Sequence, residues 1–185
     1  MNILMINHYA GSVHHGMEYR PFYLGREWVK LGHQVTIVAA SASHLRVQAP
    51  RLQGDLTEER IEGIRYLWLR TPEYNGNGLG RVRNIVAFLR QLRRLKPFLL
   101  RDCRPDVVIA SSTYPFDTLS GCHVARRCGA RFVFEVHDLW PLSLVEIYGM
   151  SRSHPFILLM QWAEDFAYRN ADRVISMLPK ADSYM

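Results

Sequence analysis

The sequence predicts a doubly wound, mainly parallel α/β sheet. Three observations carry that expectation. Short apolar runs of strand length alternate along the 185 residues with longer segments whose apolar positions recur at helical spacing. Several of the runs have little polar relief, as strands buried on both faces must. Turn-makers fall at the joints: Pro21 suits a first helical turn, while Gly32 and Gly129 suit left-handed stops.

Taken in order, residues 2–7 (NILMIN) form the first, central strand, and residues 8–16 a loop with two glycines and two adjacent histidines. Residues 19–31 place Phe22, Tyr23, Trp28, Val29 and Leu31 among Arg26, Glu27 and Lys30, an amphipathic helix. Residues 34–40 (QVTIVAA) are the second strand, completing a unit whose crossover is expected to be right-handed. A long loop over 42–53 leads to paired strands within 60–69 around Glu62-Gly63, and the run Asn75-Gly-Asn-Gly78 signals a turn. From Leu79 a helix is expected with Val82, Ile85, Val86, Leu89, Leu92 and Leu95 on one stripe, bent or broken at Pro97. A strand over 107–110, a helix over 115–128, a strand over 131–136, a helix over 154–170 and a strand over 173–177 complete the chain.

Composition bounds the function. A hydrophobic content of 48% with four tryptophans excludes wholesale disorder. A net charge of +6 suits anionic partners, and equally suits plain solubility. Cys103, Cys122 and Cys128 are odd in number and lack metal-ligand spacing, which reads as reduced thiols in a cytosolic protein. Met1 leads straight into a strand, so no signal peptide is expected, and no uncharged apolar run reaches the roughly 18 residues of a membrane span.

The chemistry concentrates at three places. Phe132 to Pro141 reads as a buried strand that ends in His137-Asp138 before a sharp exit at Pro141. The carboxyl ends of such strands are where open α/β sheets bind ligands, so His137 is expected to face a crevice. Asp138 can orient it, bind a hydroxyl, or cap the next turn. Glu135 would be costly if buried alone, so a partner such as an arginine is expected. Ser111, Ser112 and Thr113 are read as caps for the helix beginning near Pro115. The second place is the loop from Gly11 to Glu18, where a glycine before a helix N-terminus lets backbone N–H groups approach a phosphate. Its spacing is not that of a dinucleotide fingerprint. His14 and His15 point apart and have no evident carboxylate partner, so no metal centre is expected. The third is the segment from Arg81 to Arg104, with eight basic residues against Asp102. It reads as a surface for anionic lipid or as a solvated helix face. No base-stacking or helix-turn-helix motif accompanies the charge, so nucleic acid is not expected.

With these residues laid out, the chain resembles the N-terminal half of a GT-B glycosyltransferase of the large retaining family 4. The opening strand with the loop to Gly16-x-Glu18 is similar, as is Leu31-Gly-His33-x-Val-Thr36, which matches the family's "GHeVtv" junction. Glu135-Val-His-Asp-Leu-Trp-Pro141 follows, then the helix with Trp162, Ala163 and Glu164 and the strand Val174-Ile175-Ser176. The runs Asn7-His8-Tyr9-Ala10-Gly11 and Gly16-Met-Glu-Tyr-Arg20 resemble the O-antigen and capsule branch, including N-acetyl-L-fucosamine transferases.

The resemblance implies transfer of a sugar, with retention, from a nucleotide-diphosphate donor to a lipid-linked glycan at the cytoplasmic face of a bacterial membrane. Neither metal nor cofactor takes part. His137 and Asp138 would be the catalytic residues, and His15, Gly16 and Glu18 would contact the donor. Residues 1–177 would form the Rossmann-like acceptor-side domain and 178–185 the start of an interdomain linker. The donor-binding domain, with its Glu-x7-Glu motif, would lie outside this sequence, leaving the fragment inactive by itself. The chain departs from the pattern in having His15-Gly16 where many members show Gly-Gly, and a histidine at 137 where relatives often have another basic residue.

Overall fold

The computed structural model describes residues 1–76, 78–179, 181 and 184. Seven strands form one sheet in the order β3-β4-β2-β1-β5-β6-β7. They are β1 (Asn2–Ile6), β2 (Gln34–Ala40), β3 (Leu56–Ile61), β4 (Ile64–Leu69), β5 (Val107–Ala110), β6 (Arg131–Val136) and β7 (Arg173–Ser176). All pairings are parallel except that of β3 with β4. Those two join through Glu62 and Gly63 at φ 47° and 83°, the paired positive angles that a tight hairpin requires. The doubly wound architecture expected from the sequence is the one found, with the hairpin starting earlier than expected.

The two-residue period of β1 builds both halves of the core. Leu4 and Ile6 point to one face, where they meet Phe88, Leu92 and Leu95 of helix α2 (Leu79–Phe98) and Val124 and Ala125 of α3 (Asp117–Cys128). Ile3 and Met5 point to the other, packing with Ile37, Tyr66 and Trp68 under Phe22 of α1 (Arg20–Lys30). A short helix, α4 (Leu142–Glu146), and α5 (Pro155–Asn170) follow β6. The sequence carries no pattern for α4, since five residues are too few to show one. Cys103, Cys122 and Cys128 are free thiols.

Helix α2 departs from expectation twice. Its buried stripe is Asn84, Phe88, Leu92 and Leu95, while Val82 and Val86 are 50% and 57% exposed. The helix is rotated to bury Asn84, whose amide donates to the carbonyls of Ala42 and Pro72 and to Thr71. Pro97 does not break the helix either. The ladder loosened by its missing N–H widens into a π-helical turn over Leu99–Cys103, closed by the Arg104 N–H on the Leu99 carbonyl. Asn77 of the expected Asn75–Gly78 turn lies outside the described residues, as do Lys180, Asp182, Ser183 and Met185 of the expected linker. Among the described residues no helix is long and apolar enough to cross a membrane.

Candidate active site

β2 lies on one side of β1 and β5 on the other, so the sheet's direction of growth reverses between β1 and β5. In open α/β sheets ligands bind at such a switch point, at the strands' carboxyl ends. Asn7, just past β1, spans it: its amide donates to the Ser111 carbonyl at 2.6 Å, and the neighbouring His8 N–H donates to Ser112 Oγ at 3.0 Å.

The same edge carries a connected polar cluster. Strand alternation puts Glu135 and His137 on one face of β6, the face covered by α1. Glu135, 2% exposed, accepts from Arg20 Nε at 2.7 Å on one oxygen and from Ser111 Oγ at 2.7 Å on the other. Ser111 Oγ lies 2.9 Å from His137 Nε2. A hydroxyl has one proton, already given to Glu135, so His137 Nε2 is the donor to Ser111. The Nδ1 atom has no partner among the described residues and is the ring's available polar atom. Burial would raise the Glu135 pKa, but hydrogen bonds from His137, Ser111 and Arg20 outweigh it and hold the carboxyl at about 2. The cluster is therefore a fixed anion that clamps a cation and an imidazole.

Behind it lies a wholly buried layer. His8 is held between Tyr114 and Asn84, and its Nε2 donates to Asn84 Oδ1 at 2.7 Å because the Asn84 amide nitrogen is itself a donor elsewhere. Burial lowers the His8 pKa to about 3, and it stays neutral. This layer ties α2 to the switch point.

The remaining expected residues fall as follows. Asp138 is exposed and accepts from Trp140 Nε1 at 2.6 Å and Ser143 Oγ at 2.7 Å, holding the turn into α4 and not orienting His137. His15 is buried, with Nδ1 on the Gln48 carbonyl and Nε2 on Glu59, both at 2.9 Å, and its ring edge-on to Trp68. Gly16 has φ 88° and gives its N–H to the Ser12 carbonyl at 3.0 Å, so that donor is committed within the loop. Glu18 stands beside the cluster, its side chain accepting from the Arg20 N–H at 3.5 Å. The expected serine caps are corrected: α3 has no side-chain cap, and Ser111 instead joins Glu135 to His137. Sequence reasoning did not select Arg20 or Asn7. The spacing Glu135-x-His137 was the available signal for the first, since a buried acid beside an imidazole needs a cation.

Fold and site together define a Rossmann-like domain with a buried polar cluster at the switch point. Residues 15–185 match the model of the glycosyl transferase 4-like domain, and the chain belongs to that family. No curated protein matches the sequence. Among solved structures, sucrose-phosphate synthase from Thermosynechococcus elongatus is similar at TM-score 0.64 and 15% identity, covering 98% of this chain and 43% of that one. The calicheamicin glycosyltransferase CalG4 is similar at 0.51 and 17%, covering 98% and 49%. Arabidopsis thaliana UGT89C1 complexed with UDP is similar at 0.51 and 14%, covering 95% and 44%. The chain thus spans less than half the length of each of these three proteins. Its fold is that of a GT-B glycosyltransferase domain.

Proposed function

We propose that this chain is the acceptor-side half of a retaining glycosyltransferase. It moves a hexosyl or N-acetylaminodeoxyhexosyl group from a nucleotide-diphosphate sugar to a lipid-linked glycan of surface polysaccharide, in the O-antigen or capsule class, without metal or cofactor. The observation that supports this most is the Arg20–Glu135–Ser111–His137 cluster at the switch point. In this reading His137 offers Nδ1 to the reacting sugar, its ring held by Ser111 and Glu135. Arg20, its Nε held by Glu135, has its remaining guanidinium N–H groups to offer where a diphosphate leaves, the kind of preorganised electrostatic help that transfer of this type needs. Glu18 and the Gly16 loop border the donor site. Donor-binding residues come from a second domain, so the 185-residue chain alone turns over no substrate.

The outer face of α2 supports attachment to an anionic membrane at its cytoplasmic side. Leu79, Val82 and Val86 are exposed on it together with Arg83, Arg90, Arg93 and Arg94. Asp102, the one acid between Arg81 and Arg104, is taken up by Arg65 at 2.6 Å and does not dilute that charge. Apolar side chains flanked by arginines suit insertion beneath anionic headgroups. Replacing Arg90, Arg93 and Arg94 by Gln is expected to abolish sedimentation with anionic vesicles at low salt; unchanged binding rejects the attachment.

The enzymatic reading is tested with a protein that carries the donor-binding half. Release of nucleoside diphosphate is measured for wild type, His137→Ala and Ser111→Ala. A fall in kcat of about 10²-fold or more is expected for His137→Ala, the size typical of a positioned polar catalytic group. Full turnover by both variants rejects the site, and sugar transfer by the present chain alone rejects the division of labour.

A further inference from the structure

Arg46 carries a poorly satisfied charge. Its Nη2 donates to the Ala40 carbonyl at 2.8 Å, and its guanidinium lies 4.8 Å from the Trp68 ring. Its Nε and Nη1 are sealed from solvent and have no hydrogen-bond partner among the described residues. An uncompensated charge in such a place is among the costlier features a fold can carry. Deprotonation does not relieve it, since burial lowers the Arg46 pKa only to about 10. Two acids are near in sequence or space. Glu59 is already held by His15 and Trp68, and exposed Glu73 makes no ion pair with Arg46.

Arg46 also lines a cavity of about 290 Å³ at the carboxyl ends of β2 and β4, the ligand-binding edge of the sheet. The other lining groups include Ser41, Ser43, Tyr74, Asn75 and Glu73. Hydroxyls and an amide suit a sugar, and a guanidinium lacking an anion suits an acid carried on it. We propose that this cavity binds an acidic sugar group, a carboxylate or a phosphate, with Arg46 as its anchor. Rotation of the guanidinium off Trp68 delivers the unpaired N–H groups to the cavity that Arg46 already lines. The inference deepens the reading given above, making the glycan acceptor an acidic one, and rests on that reading only for the acceptor's place in the reaction.

Binding to the present chain is measured directly, by calorimetry and by amide chemical shifts, with inorganic phosphate, glucuronate and neutral glucose as probes. Saturable binding of phosphate or glucuronate is expected, with glucose at least tenfold weaker. Shifts should centre on residues 41–49 and 73–75. Preference for phosphate or for glucuronate identifies which acid the site takes. Arg46→Gln should lose at least tenfold in affinity for the acidic probe and Arg46→Lys less, while Glu73→Gln should gain affinity. Should Arg46→Gln fail to fold, the wild-type shifts and the Arg46→Lys and Glu73→Gln comparisons decide. Absence of saturable acid binding by wild type, or affinity untouched by both Arg46 variants, overturns the proposal. In a protein with its donor half, Arg46→Gln should raise the acceptor KM and leave kcat near wild type. Acid binding without any sugar transfer would leave the site standing and reject the transferase reading.

Discussion

Replacing Glu135 by Gln separates charge from shape at the centre of the candidate site. The amide keeps the volume and still accepts from Ser111, but loses the anion that faces Arg20 and His137. The folded protein holds the Glu135 carboxyl at about 2, against 4.5 for a free glutamate. At about 1.4 kcal/mol for each tenfold change, that difference is on the order of 3 kcal/mol of stability at neutral pH. The lower end of the range for breaking a buried ion pair, about 3–5 kcal/mol, agrees. The lower end is the appropriate one because Arg20, 34% exposed, can turn to water when its partner is lost. The sign follows from the depressed pKa. The contribution is complete above pH 4.5 and disappears as pH falls towards 2, leaving about 1 kcal/mol at pH 3. Urea unfolding of wild type and Glu135→Gln at pH 7, 4 and 3 measures it. A stability gap that stays constant across those pH values would show that Glu135 acts by packing, and the electrostatic account of the cluster would be wrong.

Three further outcomes are expected. Gly16→Ala should lower stability by about 1–3 kcal/mol in thermal unfolding, because φ is 88° and the added Cβ would come within 2.8 Å of Val47. Wild-type stability should carry a component that falls by up to about 1.4 kcal/mol per pH unit below pH 6.5. Its source is His8, which the unfolded chain protonates while the folded protein resists down to about pH 3. The difference between wild type and His8→Gln isolates that component. Glu164→Gln should stabilise the protein by about 3 kcal/mol at pH 8, since burial raises that carboxyl from 4.5 to about 7 and the fold loses stability as pH rises between those values, where only the unfolded chain ionises freely. Equal unfolding midpoints for Glu164→Gln and wild type at pH 8 would refute this.

What the sequence disclosed depended on how local the cause was. The strands were legible because burial on both faces leaves a run of apolar residues, and the stops at Gly32 and Gly129 because left-handed angles favour glycine. The orientation of α2 was not legible. Val82 and Val86 continue an apolar stripe by local spacing, yet Asn84 occupies the buried position because Ala42, Thr71, Pro72 and His8 satisfy its amide. At the site, the cost of burying Glu135 announced that a partner must exist. It could not announce that the partner is Arg20, 115 residues away along the chain. Asp138 looked equivalent to His137 in sequence, but it lies past the end of β6 in the turn to α4, where Trp140 and Ser143 use it.

The two arginines of the carboxyl edge stand in opposite electrostatic conditions, and a constrained loop lies next to both. Arg20 is matched by Glu135, while Arg46 has no matching acid among the described residues. The loop is tied at both ends, with the Gly11 N–H on the Glu18 carbonyl near Arg20 and Gly16 bridged to the backbone of Arg46. Reciprocal bonds between Ser12 and Gly16 close it, and neither glycine has room for a Cβ. A segment so constrained holds the backbone of Arg46 beside the cavity that Arg46 lines. For that reason a Gly16→Ala variant that still folds should weaken acid binding at Arg46, and substitutions on the exposed face of α2 should not.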